Sequence, residues 1–495
     1  MNMQKNTIIN YLALAIAAFL FLLFFSYATS PIFSNNYGIS DSAIFLLVGK
    51  GITSGHILYL DLFDHKGPVL FFLEALGWLI IPDRFGSFFM QWIFMVADLI
   101  LIVKMGQLFL NKKQAWLPIL FFFLILASTF EGGNLTEELS LPFLLLPLYL
   151  VLRHLKKEPI KKAHHNPLYA FIYGICFTLI VFMRLNNAVL IGAIVLVVMI
   201  QLFTNKAYVD FFHNVLGFIA GALITFAAIA SYFIINHAFG DMIYATFLFN
   251  MKYAEGISGI FSPESLVKFA YSVSPVVFSG CMGIYYLLKK EDKYIGLLLT
   301  IGSLVTFFSL LLGGIFYHYF TLTTPCFVLA IILLIELYVK NEKKLWQGSH
   351  RGLLVAVLVL FMTSCVIYLC FCFSTIVTIA TEEPDTDYYE NALTIKSSIP
   401  EEDRDSVFGY EIPAGWFLMA DITPCYKYFT LQEWWGLYDP QVIVEMNNML
   451  KNNPPKWIVM TNDQETNAEI YDVLGTNYEL VTKDEEVSLY HRIAE

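Results

Sequence analysis

The sequence predicts a polytopic α-helical membrane protein of about eleven transmembrane helices, followed by a small C-terminal α/β domain. Three observations carry that expectation. Of 495 residues, 57% are hydrophobic and only 14% charged, against about 25% charged in soluble domains. Apolar runs long enough to cross a bilayer (~20 residues) recur along the chain. They lack the alternating polarity of barrel strands, which would be about ten residues each. Near residue 380 the composition turns acidic and polar.

The apolar segments lie at about 8–28, 86–110, 115–130, 137–153, 168–184, 187–203, 212–236, 268–288, 294–313, 316–339 and 352–379. The first run, Ile8–Tyr27, exceeds a signal-peptide core of about 7–15 residues and reads as a retained span. Alternate loops are basic. One set, from Lys5 through "NKK" 111–113, "RHLKKEPIKK" 153–162, Lys206 and "KKEDK" 289–293 to "KNEKKLWQGSHR" 340–351, holds sixteen Lys and Arg. The opposite set holds six: Lys50, Lys66, Arg84, Arg184, Lys252 and Lys268. By the positive-inside rule the N-terminus is cytoplasmic, and an odd number of spans places the C-terminus outside. The longer loops, 29–85 and 237–267, then face outward.

From residue 381 onward, "SVFGYEI", "KWIVMTND", "YELVTK" and "VSLYHR" read as short strands. "DPQVIVEMNNMLKNN" reads as a helix closing before Pro454. The expected division is a membrane domain over 1–380, with its first outer loop at 29–85, and an extracytoplasmic α/β domain over 381–495. The net charge of −11 arises largely from acids in this tail, and nothing resembles a nucleic-acid-binding patch. Of seven cysteines, six lie in apolar runs as small hydrophobes, and Cys425 stands alone in the tail.

The first outer loop is the chemically dense stretch. "SDSAIFLLVGKGITSG" has a helix start at Ser40–Asp41 and a stop at Gly55, with apolar residues enough for a helix lying along the membrane face. "YLDLFDHKGP" then adds Asp61, Asp64, His65 and Lys66. Each has a structural reading: Asp41 as a helix-start acid, Lys66 as an interfacial lysine, Asp64 and His65 as a solvated turn before Pro68. Arg184 ends a span, His318 lies between Tyr317 and Tyr319 in an interfacial aromatic belt, and Glu137 and Glu138 open a span as helix-start acids. Glu74 and Asp98 sit within apolar segments, where charge is usually paired or functional. Gly256 and Gly259 give the 253–265 segment the makings of a flap.

An early span, an acid opening a juxtamembrane helix, "Y-x-D-x-F-D-H-K-G-P" and an apolar "LFFLEALG" together resemble the GT-C glycosyltransferases. The resemblance is closest to the branch of bacterial protein O-mannosyltransferases and aminoarabinose transferases. "GGNLTEELSLPFLLLPLYL" 132–150, "GICFTLIVFMRLNNAVL" 174–190, "FLFNMKYAE" 247–255 and "YHYFTLTTP" 317–325 follow in the family's order, so the match spans about 8–340. It implies a GT-C-like fold and transfer of a sugar from a polyprenyl-phosphate carrier to an envelope acceptor on the outer face of the cytoplasmic membrane.

Asp41 corresponds to the family's first-loop acid and is the candidate catalytic base; where the family often has a second acid, this chain has Ser42. Lys66 matches the lysine before proline and, with Arg184 and His318, is a candidate for binding the donor phosphate. Asp61, Asp64, His65, Glu137 and Glu138 are candidate substrate contacts. The chemistry asks for such groups: a carboxylate to accept the hydroxyl proton, and cations facing the charge that develops on the leaving phosphate. No cofactor and no metal site are expected, although some distant relatives use a divalent cation. The partners implied are the lipid-linked sugar, an unidentified acceptor and membrane lipid. A lipid or glycolipid transporter or flippase is the alternative. It would be expected to show similar halves and mid-membrane polar groups, whereas here the polar groups gather in one outer loop.

Overall fold

The computed structural model describes residues 2–33, 41–157, 164–256, 263–289, 292–311, 315–341, 351–381, 387–462, 467–484 and 486–493. Ser40 at the expected helix start, Gly259 of the flap, and the basic residues Lys161, Lys162, Lys290, Lys343 and Lys344 lie outside the described residues.

All eleven apolar segments are helical. Among the described residues, seven helices are long and apolar enough to cross a membrane: Ile8–Phe25, Arg84–Gly106, Thr136–Lys156, Leu185–Thr204, Tyr208–Ile235, Tyr317–Lys340 and Arg351–Thr381. The other four segments give shorter apolar helices, Gln114–Thr129, Pro167–Val181, Ser274–Leu288 and Lys293–Ser309. Local chemistry sets their ends. Asn166 caps one, its Oδ1 accepting from the Leu168 N–H at 3.0 Å, with Pro167 in the first turn, where no N–H is missed. The segment expected as one helix over 268–288 breaks into Pro263–Ser272 and Ser274–Lys289. Pro275 explains the break, since it lacks an N–H and its ring crowds the preceding turn. Within the first part of the 237–267 loop, helices Phe239–Ile243 and Phe249–Gly256 flank a wider π turn at Tyr244–Leu248.

The chain forms two compact units. One gathers Met1–Ser26, Gln91–Ile229 and Ile257–Glu382. Within it the helices approach closely at small residues: a Cβ on Gly174 would come 2.1 Å from the Phe218 carbonyl oxygen.

The other unit gathers Tyr27–Met90, Ala230–Gly256 and Glu383–Glu495, so the first outer loop and the C-terminal segment belong to one body. Its sheet comprises β1 (Val407–Tyr410), β2 (Trp457–Thr461), β3 (Tyr478–Lys483) and β4 (Val487–Arg492), in the order β1-β2-β4-β3. β1 and β2 run parallel, whereas β4 pairs antiparallel with both β2 and β3. The expected helix is present at Gln441–Asn452, and its Met446 and Leu450 pack on Phe408, Ile458 and Met460 of the sheet. The segment also carries helices at Asp387–Ser397, Ala414–Ala420, Gln432–Tyr438 and Ala468–Asn477, and a 3-10 turn at Glu401–Ser406.

Candidate active site

The first outer loop builds its cluster from local rules. Helix Asp41–Thr53 opens at Asp41, and residues Ser42 to Gly51 are buried on every side of it. Gly49 permits the close approach of the following helix, Pro68–Ile80, since a Cβ there would lie 2.5 Å from Glu74 Cβ. Glu74 itself, charged within an apolar run, accepts from the Ser87 hydroxyl. Gly55 takes φ +96° just beyond the helix end, as its stop position requires.

The next turn is held by its own side chains. Asp61 Oδ2 accepts from the Ile57 N–H at 2.6 Å. Tyr59, buried with φ 70°, donates its hydroxyl to the Lys66 carbonyl at 2.6 Å and stacks on Phe233. Phe63 fills the space beneath, edge-on to Phe249, Tyr428 and Trp435, and its N–H bonds the Lys427 carbonyl at 2.9 Å.

These contacts deliver one ammonium to a polar centre. Lys66 Nζ lies 3.5 Å from Asp41 Oδ2 and 3.0 Å from His65 Nε2. Because an ammonium has only donors, that imidazole nitrogen accepts. Asp64 Oδ1 takes the Lys66 backbone N–H at 2.8 Å. Asp64 is buried, and burial pushes its carboxyl up to about 6; the Lys66 charge opposes the rise and the Asp41 charge adds to it. The Lys66 side chain is 12% exposed and that of Asp41 45%, so the acid is the accessible member of the pair. The His65 ring packs among Phe249, Tyr253 and Trp434, and Asn250 donates to its carbonyl at 2.6 Å. Asp41, Asp64, His65 and Lys66 thus meet, while Asp61 serves the turn.

The remaining sequence candidates belong to the other unit. Glu131, Gly132, Gly133 and Asn134 all take positive φ, a run of left-handed residues that glycine and asparagine make accessible. Glu138 secures this turn, accepting from the Asn134 N–H at 2.8 Å and from Gln91 Nε2 at 3.0 Å. Glu137 accepts from the Thr136 hydroxyl at 2.9 Å and pairs with Arg184. The Arg184 guanidinium also lies 3.9 Å from the Tyr319 ring centroid, a cation–π stack. His318 Nδ1 pairs with Glu131, whose Oε2 also accepts the His318 N–H at 3.3 Å.

Sequence reasoning missed Glu131 as a partner for His318, and Trp434 as a wall for His65. The acid preceding a Gly-Gly pair was the available signal for the first. The second, 369 positions along the chain, had none.

With these positions established, the class the fold defines is a polytopic helical architecture with a small α/β tail, shared over nearly the whole chain with solved membrane-protein structures. Among the solved structures it matches are two of ArnT from Cupriavidus metallidurans. One is bound to undecaprenyl phosphate (TM-score 0.57, 12% identity, 99% of each chain covered). The other is in the apo state (TM-score 0.55, 13% identity, 99% of this chain and 98% of that one). No family model matches the sequence, and no curated protein does. The likeness is one of fold, and the resemblance read from the ordered motifs led to the same architecture.

Proposed function

We propose that the chain is a glycosyltransferase that moves a sugar from a polyprenyl-phosphate carrier to an envelope acceptor on the outer face of the cytoplasmic membrane. The observation that carries this reading is the Asp41–Lys66 pair: an accessible carboxylate 3.5 Å from a nearly buried ammonium. The fold neighbour bound to undecaprenyl phosphate supports the carrier class, and the basic loops support an extracytoplasmic first loop and 381–495 segment.

In the proposed step, Asp41 takes the proton of an acceptor hydroxyl as its oxygen bonds the sugar's anomeric carbon. The bond from that carbon to the phosphate oxygen breaks, and the carrier leaves as polyprenyl phosphate. Lys66 faces the charge developing on the phosphate. A single displacement of this kind inverts the anomeric centre. Asp64 and His65 orient Lys66, one through its backbone N–H and one through its ammonium. For Arg184 and His318 the proposed part is donor-phosphate binding, in which an anionic head competes with Glu137 and Glu131.

The test is to purify the full chain, identify co-purifying lipid by mass spectrometry, and follow polyprenyl-phosphate release from lipid-linked sugars. Release that depends on an added acceptor supports the transferase. Movement of an intact lipid-linked sugar between leaflets, without bond cleavage, supports the flippase instead.

A further inference from the structure

The unit that holds the first loop contains a cavity of about 770 Å³ that the proposed transfer step does not use, within the ~300–1,000 Å³ typical of ligand sites. One wall is the turn after helix Asp41–Thr53, with His56, Leu60 and Asp61. The other comes from the C-terminal segment: Asp405, the stretch 424–427, and helix Gln441–Asn452 through Glu445 and Asn448. The Phe63–Lys427 backbone hydrogen bond joins the two walls at 2.9 Å.

The lining selects a ligand chemistry. Three carboxylates face the space, Asp61, Asp405 and Glu445, against a single lysine, Lys427. That lysine is paired with Glu445 at 2.5 Å. Like charge therefore rejects phosphate or any other anion. A lipid tail would dehydrate the carboxylates and the Asn448 amide while offering them no hydrogen bond in return. What fits is a ligand rich in donors, because carboxylates only accept. The apolar surfaces of Leu60, Tyr426 and Met449 suit the C–H face of a pyranose ring.

We infer that this cavity is a saccharide subsite, binding hydroxyl- or amino-bearing sugar residues of the acceptor. The acceptor assignment rests on the glycosyltransferase reading; the saccharide specificity rests on the lining alone.

The experiment uses the full-length protein in an amphipol, free of glycosidic detergent. Mannobiose, N,N′-diacetylchitobiose and inorganic phosphate serve as probes, and binding is read by saturation-transfer NMR and calorimetry. At least one disaccharide should bind, phosphate should not, and affinity should fall tenfold or more in Asn448→Trp, which fills the cavity from an exposed helix position. Asp405→Asn, also at an exposed position, should weaken binding about threefold and guards against misfolding of the first variant. No disaccharide binding by the wild type, equal affinity in all three proteins, or phosphate binding that Asn448→Trp blocks would each overturn the inference. The Asp41→Asn variant separates the two readings: it should keep disaccharide affinity while losing donor turnover. Turnover surviving in it would remove the catalytic reading and leave the binding result standing.

Discussion

The cluster around Lys66 and the cluster around Arg184 use the same residue types to opposite ends. Lys66 is shared among Asp41, His65 and the segment held by Asp64, and its acid partner Asp41 is 45% exposed. Arg184 and Glu137 close on one another, with side chains 18% and 2% exposed, and Tyr319 covers the guanidinium. The first arrangement keeps its carboxylate in contact with solvent. The second is a closed pair whose desolvation has already been offset by mutual attraction, so removing one partner strands the other. A carboxylate open to solvent suits chemistry; a close pair whose acid is buried suits architecture or the displacement of that acid by an anion.

The contrast can be broken by substitution. Arg184→Gln leaves the Glu137 carboxylate buried without its cation, which should cost about 3–5 kcal/mol. Thermal melting should show the loss, and adding Glu137→Gln should restore much of it. Asp64 gives a smaller, pH-dependent effect. Its folded carboxyl titrates at about 6 against 3.8 unfolded, so the folded state holds the proton more tightly. Stability from this group is complete below 3.8 and declines as pH rises through about 6. The loss approaches about 3 kcal/mol as an upper bound. Melting at pH 4 and pH 7 should show this decline in the wild type and its absence in Asp64→Asn. Lys66→Met should cost about 1 kcal/mol, because its partner Asp41 is 45% exposed, and it should weaken donor binding as well. His318→Gln should cost no more than about 1 kcal/mol, because its partner Glu131 is 37% exposed.

The same two regions show where a sequence can be read. The first loop is built from short-range bonds: Asp61 to Ile57, Asp64 to Lys66, Tyr59 to Lys66, and a left-handed stop at Gly55. Residues close in sequence constrain each other, so the motif exposed the cluster. The strands and the Gln441–Asn452 helix were legible for a similar reason, since local periodicity marks them. The second cluster joins Arg184 to Glu137 across 47 positions and His318 to Glu131 across 187. Periodicity and spacing carry no information at such separations. Lys50 is another case. It was read only as a loop cation, yet it bonds Asp421 at 2.5 Å across 371 positions. The Lys252–Asp439 pair fixes helix Phe249–Gly256 to the tail in the same way, in a stretch that read as loop. Helix Asp41–Thr53 is covered mainly by the next helix, Pro68–Ile80, and only in part by the distant helix Ala414–Ala420, whose contribution no local pattern marks.

The central claim is that the Asp41 carboxylate does chemistry. Polyprenyl-phosphate release measured side by side for the wild type and Asp41→Asn, with donor binding and melting temperature determined on the same preparations, tests it most directly. Turnover should fall about 10²–10⁴-fold, with donor affinity and melting nearly unchanged. Turnover within a factor of two of the wild type would contradict it.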